Sequence, residues 1–438
     1  MLVCVAIAIW GLMVFLSDGR VGPLIDELKA KGEPVSISEI IPPKIPDNEN
    51  AAVLYARAFE LLPKGEANSE FGRLDQFVSR KDQRKNPDEW TSARRVLAKY
   101  AKALALAEAA AARPKCRFPV DWARGWEAEM SHLKGLRKLS VLAAARALVD
   151  AKAGRTRQAL DSVGLGIRIG ESLRKEPTLA PYFARIAHVK RSVRSLENVL
   201  SHCPITRNEA LQLDSALSEV DLVSAGVDAL RGERACGIDS FERLVGRVVE
   251  GRGRGPDGFK HPPTKRGTPA FGSGVLRTLF ERDEARYIRM MTSFIDRAGL
   301  PYRVIARTEK PAHPRDRDVP RLPSISGMLL PHMGWFARSR DEGIAAISAG
   351  RLMLALAAYR GRSGSYPERL ADLRGKLTRK LPEDPFAGTD FIYKREGSGF
   401  LLYSIGPNLK DDGGVEIKPA KSKASEIPGG DIVWRTDL

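Results

Sequence analysis

The stretch that most restricts the fold runs from Trp126 to Val199, where apolar residues recur at helical spacing with few breaks. LSVLAAARALVDAKAG ends at Gly154, a natural C-terminal stop, and RTRQALDSVGLGIRIGESLRK follows as a partner helix. Pro177 then opens a third helix that runs through LENVL. Amphipathic helices must bury their apolar faces on one another, so such a run folds back on itself as helical hairpins. The pair meeting at Ala153, Gly154 and Arg155 reads as one hairpin of a tetratricopeptide-like solenoid, although no clean period of about 34 residues repeats. The spacing therefore predicts a stack of α-hairpins.

The chain before this stretch opens on LVCVAIAIWGLMVFL, Leu2 to Leu16, fifteen residues without a charge. A full bilayer span takes about 20 apolar residues, so the run is short. Its polar edge, Ser17 to Arg20, has no small-x-small cleavage site, which favours an uncleaved anchor over a removed signal or a buried core helix. Residues 19–50 read as a linker: IIPPKIPDNENAA holds three prolines, then Asp47 and Asn48 as candidate caps for a helix from Ala51 to Leu62. Another helix is expected from Asp88 to Ala112, and Thr206 with Glu209 forms a capping box before Leu211, Leu213 and Leu217.

Hydrophobic residues at 43% and charged residues at 29% suit a folded body. The net charge of +17 raises nucleic acid, anionic lipid or an acidic wall polymer as partners. From Gly251 to Arg321 there are 16 Lys or Arg against 8 Asp or Glu, but few aromatics interleave with them. Single-strand binders supply stacking rings, so nucleic acid is the weaker reading and solvated helix faces the stronger. Of the four cysteines, Cys116, Cys203 and Cys236 lie beyond the apolar start, with no C-x-x-C pair. A Cys116–Cys203 bridge and buried free thiols are both open, the free thiols being preferred.

From Asp341 the texture changes. A helix through Ile344, Ile347, Leu352, Leu356 and Tyr359 leads to Gly364-Ser-Tyr-Pro367 and a short helix ERLADL. Leu381-Pro-Glu-Asp-Pro-Phe386 follows, then a hairpin of FIYK and FLLYSI around EGSG. An acidic glycine loop, Gly406 to Gly414, and Asp431-Ile-Val-Trp434 close the chain. This order of G-x-Y-P, L-P-x-D-P-F, Y-S-x-G, acidic loop and terminal D-I-x-W resembles the globular domain of the major pseudopilin of type II secretion systems. The resemblance covers Asp341 to Trp434. The whole chain also looks like large families of N-terminally anchored bacterial envelope proteins with a helical body, which carry no assigned activity. A pseudopilin's processing glycine and F-T-L-x-E are absent here, so assembly into a filament by the usual route is not expected. The resemblance implies a calcium loop with Asp411, Asp412 and Asp431 as ligands and Asn408 as a helper. The residues alone read equally as ordinary Asp-Asp-Gly-Gly turn chemistry, and the lysines of VEIKPAKSKASEIPGG weigh against a cation. Calcium is the only cofactor suggested.

The fold class expected is thus mainly α. A helical-hairpin, solenoid-like body carries an N-terminal transmembrane helix and a small C-terminal α+β pseudopilin-like domain. The divisions are 1–18 anchor, 19–50 linker, 51–250 helical body, 251–340 Gly/Pro-rich basic connection with a helix, and 341–438 α+β domain. No catalytic constellation emerges. His132, His188, His202, His261, His313 and His332 form no metal-ligand pair at helical spacing. Ser131-His-Leu-Lys134 fits S-x-x-K without its companion motifs, and Gly251-Arg-Gly-Arg-Gly255 has no strand before it. Trp122 and Trp126, four apart, read as core packing before a binding face. The expected function is an anchored envelope scaffold or interaction protein, single-pass with its body outside the cytoplasm and another envelope protein as partner. An accessory component of a type II secretion or pilus-like machine is the first alternative, and an envelope-polymer hydrolase the second.

Overall fold

The computed structural model describes residues 20–64, 70–79, 86–248, 273–308, 325–330, 332–374, 381–417 and 429–436. The expected anchor, 1–18, lies outside them. The chain is mainly helical, with one small three-stranded antiparallel sheet.

Helices α1 (Val21–Ala30) and α2 (Ile37–Ile40) occupy the interval expected as a linker. Leu28, Val35 and Ile37 are buried there, so prolines 42, 43 and 46 follow packed helix rather than free chain. Next come α3 (Ala51–Glu60), α4 (Glu70–Ser79), α5 (Pro87–Lys99) and α6 (Ala101–Ala111). The cap of α3 is Asn50 rather than Asp47 or Asn48. Its Oδ1 accepts from the N–H of Ala52 at 3.1 Å and from that of Arg117 at 2.9 Å, so one side chain starts the helix and fastens a distant segment. The helix expected over 88–112 is broken at Tyr100, whose φ of −104° and ψ of 18° end α5.

The hairpin at Gly154 is present. Helix α7 (Ser131–Lys152) and α8 (Thr156–Glu171) meet where Gly154 takes φ +72°, a conformation that costs glycine little. They form a seam between two apolar clusters. Leu136, Leu139 and Leu142 pack with α3 to α6, whereas Ala147, Ala151 and Leu160 join the larger core. That core continues through α9 (Leu179–His202), α10 (Arg207–Ser218), α11 (Val223–Val248), α12 (Ser273–Arg297), α13 (Tyr302–Thr308), α14 (Ile325–Leu329) and α15 (Met333–Ser363). The capping box of α10 forms as expected between Thr206 and Glu209.

The change of texture read at Asp341 falls inside α15, which starts eight residues earlier at Met333 and stops at Gly364 with φ +77°. Among the described residues this is the one helix long and apolar enough to cross a membrane, and 78% of its apolar window is buried inside the fold. Arg340 and Asp341, each 1% exposed, sit on its buried side. Arg340 Nε donates to Asp341 Oδ1 at 2.8 Å, and its Nη2 donates to the Leu300 carbonyl at 2.6 Å. Asp341 Oδ2 accepts from the N–H of Tyr302 at 2.6 Å. The turn between α12 and α13 is thereby fixed to α15.

Strands β1 (Ile392–Glu396), β2 (Gly399–Ser404) and β3 (Ile432–Thr436) follow in the order β1-β2-β3, with Tyr403 opposite both Ile392 and Val433. Alternation on β2 sends Phe400 and Leu402 into the main core and Leu401 and Tyr403 to the other face. The short helix expected at ERLADL is a single 3-10 turn, Leu370–Leu373.

Breaking a buried ion pair leaves an uncompensated charge, so Asp341→Ala is expected to lower unfolding stability by about 3–5 kcal/mol in urea titrations. Substituting the exposed Glu70, which pairs with Lys99 at 2.8 Å, is expected to leave the midpoint almost unchanged.

Candidate functional site

A polar cleft of about 510 Å³ opens where three connections meet. Its walls come from the turn after α1 (Lys31 to Pro34), the α8–α9 turn (Arg174 to Pro177) and the first half of α11 (Ser224 to Arg231). Backbone geometry puts these together. Gly32 closes α1 at φ +69°, and the α8–α9 turn lies so close to α11 that a Cβ on Gly232 would sit 1.7 Å from the Pro177 carbonyl oxygen.

Most charges in the cleft are committed within the protein. Arg185, 1% exposed, makes a two-pronged bond to Glu171, 2.8 Å on each prong, and reaches the Asp221 carbonyl at 3.1 Å. Asp221 Oδ1 caps α11, accepting from Val223 at 2.9 Å and Ser224 at 3.0 Å, and these bonds hold its carboxyl below the usual range against partial burial. Glu33 takes Arg234, which is fully buried, and lies 3.8 Å from Arg231. Arg231 also meets Asp228 at 3.3 Å. Arg174 and Lys175 are exposed and have no ion-pair partner among the described residues.

Beneath the turn, Glu176 faces His132 of α7. Glu176 Oε2 and His132 Nε2 are 3.6 Å apart, too far for a hydrogen bond, and both atoms are buried without a partner, as is Thr178 Oγ1. His132 stacks on Phe118 with ring centroids 4.3 Å apart. Burial pushes Glu176 up to about 7, against the pull of Arg117, and pushes His132 down to about 4. At neutral pH the imidazole is therefore uncharged, and the contact is not an ion pair. Burial also raises the Cys116 thiol nearby to about 12, with the Glu176 charge adding to it.

A second recess, about 570 Å³, lies between Arg20 to Pro23 and helices α11 and α12. Burial and the neighbouring Glu242 and Glu281 push Glu284 there up to about 7.

Asp411, Asp412 and Asp431 do come together, but around backbone donors. Asp431, fully buried, accepts from the N–H of Asp412 at 3.2 Å and of Gly414 at 2.7 Å. Asp412 Oδ2 accepts from Gly430 at 2.9 Å and from Asn408 Nδ2 at 2.6 Å. Asp411 Oδ1 accepts from Gly413 at 2.9 Å and from the Tyr403 hydroxyl at 3.1 Å. Calcium takes six to eight oxygens. This loop presents N–H groups instead, and among the described residues no three His, Cys, Asp or Glu side chains gather at one point. Engaged in this way, the three carboxylates hold the loop over Leu401 and Tyr403.

The other motifs are structural as well. Asp384 of L-P-x-D-P-F accepts from Ser404 Oγ of Y-S-x-G at 2.7 Å and from the N–H of Ile405 at 3.1 Å, joining two of the quoted pieces. Trp122 is buried, while Trp126 is 36% exposed and donates to Glu233 at 2.6 Å, so the two share no face. Cys116, Cys203 and Cys236 are free, and Cys116 and Cys203 pack with different clusters. No family model, curated protein or solved structure matches the chain.

Two outcomes follow. A carboxyl whose folded pKa is raised loses its stabilising share as pH climbs from its unfolded to its folded value. The native chain should therefore fall in stability relative to Glu176→Gln between pH 4.5 and about 7 and run parallel above. The amplitude expected is about 3 kcal/mol, read from urea midpoints across pH. Asp431→Ala should cost about 1–3 kcal/mol through its stranded N–H groups. That loss should be equal in chelator and in excess calcium; a calcium-dependent rise in the native midpoint would assign the loop to the cation instead.

Proposed function

We propose that the protein is a membrane-anchored envelope scaffold that holds a partner protein. In this reading residues 1–18 form the transmembrane anchor, the body stands outside the cytoplasm as a loose stack of α-hairpins, and the cleft above Glu176 receives the partner. The observation that carries the reading is the pair Arg174 and Lys175, two adjacent exposed cations without ion-pair partners among the described residues, on a cleft whose other cations are paired within the protein.

An envelope-polymer hydrolase needs an acid and a base that both reach substrate. Glu176 and Asp221 have their pKa values pushed apart as such a pair would, and both line the cleft. Yet Glu176 Oε2 is closed off against His132, and Asp221 Oδ1 is held by two N–H groups. Binding is favoured over catalysis on that ground. The resemblance of residues 341–438 to a pseudopilin domain keeps an accessory of a type II secretion or pilus-like machine as the alternative, and the Asp384–Ser404 bond joins two of the motifs that carry that resemblance.

Fractionation with protease access from each side tests the proposal. The full-length chain is expected to resist carbonate extraction and to be cut only from outside, and deletion of residues 1–18 to release it. A full-length protein recovered in the cytoplasm would overturn anchor and placement together.

A further inference from the structure

The walls of the cleft narrow the chemistry of what it holds. Among its lining residues, Lys31 pairs with Glu27 at 2.7 Å, Arg185 with Glu171 and Arg231 with Asp228, which leaves Arg174 and Lys175 as the lining cations without an ion pair among the described residues. Among the described residues no aromatic ring lines the cleft, so these walls give nucleobases no stacking platform. Ile40, Pro34, Pro177 and Ala225 are too scattered among charged groups to receive an acyl chain. A peptide with a few carboxylates and neutral stretches between them suits this mosaic.

We propose that the cleft binds an acidic peptide segment of a partner protein, with Arg174 and Lys175 as its charge partners. This rests on the scaffold reading and adds the ligand class. It also gives the binding a pH dependence, because Glu176 lies directly beneath. The groups around Glu176 are His132 from α7, Cys116 and Arg117 from the segment after α6, Arg185 from α9, Asp221 ahead of α11, Glu33 after α1, and Arg174 and Lys175 on its own turn. His132 is uncharged above about 4 and Cys116 is protonated to about 12, while Glu176 changes charge near 7. Above that pH a negative charge appears under the ligand's own carboxylates, so affinity falls.

Fluorescence anisotropy on the full-length protein in detergent tests this with a labelled peptide of alternating Glu and Ser. Binding is expected to weaken about tenfold in R174A/K175A, since two exposed ion pairs are lost. It is also expected to weaken from pH 6 to pH 8 in the native chain and to lose that slope in E176Q. Binding indifferent to R174A/K175A would overturn the proposal. So would tighter binding of a single-stranded oligonucleotide of equal charge, or of phosphatidylglycerol vesicles, to the same two residues. In-cell photocrosslinking from Ser224 and from the distant Lys394 separates the two readings. A partner captured only from Lys394 would leave a scaffold standing and remove this ligand from the cleft, whereas no partner from either site would remove both.

Discussion

Glu197 of α9 is 1% exposed, and the joining of body and sheet depends on how its charge is matched. It meets Arg194 one helical turn earlier at 2.7 Å and accepts from the N–H of Arg435 on β3 at 3.1 Å. Arg194 in turn donates to the Val433 carbonyl at 3.0 Å. An edge strand with free N–H and C=O groups is a template for unwanted pairing. Here two side chains of a helix take up bonds that a fourth strand would have made. The sheet is therefore not an appendage. Its Phe400, Leu402 and Trp434 share a core with Val193, Leu196 and Leu200 of α9.

The same helix carries Arg185 at its other end, so its two ends serve different tasks. Near the C-terminal end, buried charge fastens the sheet. Near the N-terminal end, Arg185 draws Glu171 and the Asp221 carbonyl together and shapes the cleft floor. At each end one partner of the pair is buried, Arg185 in the first and Glu197 in the second, and removing the other partner would leave that buried charge unmatched. His188, between them, is an exception: both ring nitrogens are buried without a partner, and burial drives its pKa to about 3. It stays a neutral ring packed inside the fold.

Local signals were legible in the sequence where a few neighbouring residues determine the outcome. Thr206 and Glu209 cap α10, Gly154 turns the α7–α8 hairpin, and the two strands around Gly397 pair as read. Signals that depend on distant partners were not. Asn50 caps α3 because Arg117, 67 residues away, shares its side chain. Residues 21–40 become packed helix because the rest of the body provides a surface for Leu28 and Ile37. The acidic loop was legible as a cluster, but its chemistry was set by the backbone N–H groups of Gly414 and Gly430, which no residue type announces. Glu176 was missed altogether. An Arg-Lys-Glu-Pro turn between helices looks solvated, and only the proximity of His132 and Phe118 turns its third residue inward.

The position of the cleft links the two halves of the functional reading. Helix α1 begins at Val21, four residues after the apolar segment ends at Leu16, and stops at Ala30. Its last turn passes into Lys31 to Pro34, one wall of the cleft. A helix of ten residues is about 15 Å long, so α1 sets the span from Val21 to that wall. Glu33, on that wall, is bonded to Arg234 of α11, so the wall is tied to the opposite side by a largely buried ion pair. Leu24, Ile25 and Leu28 seat the same helix on the main core, so the wall and the core hold α1 together. An anchor at residues 1–18 would fix the orientation in which Arg174 and Lys175 meet a partner.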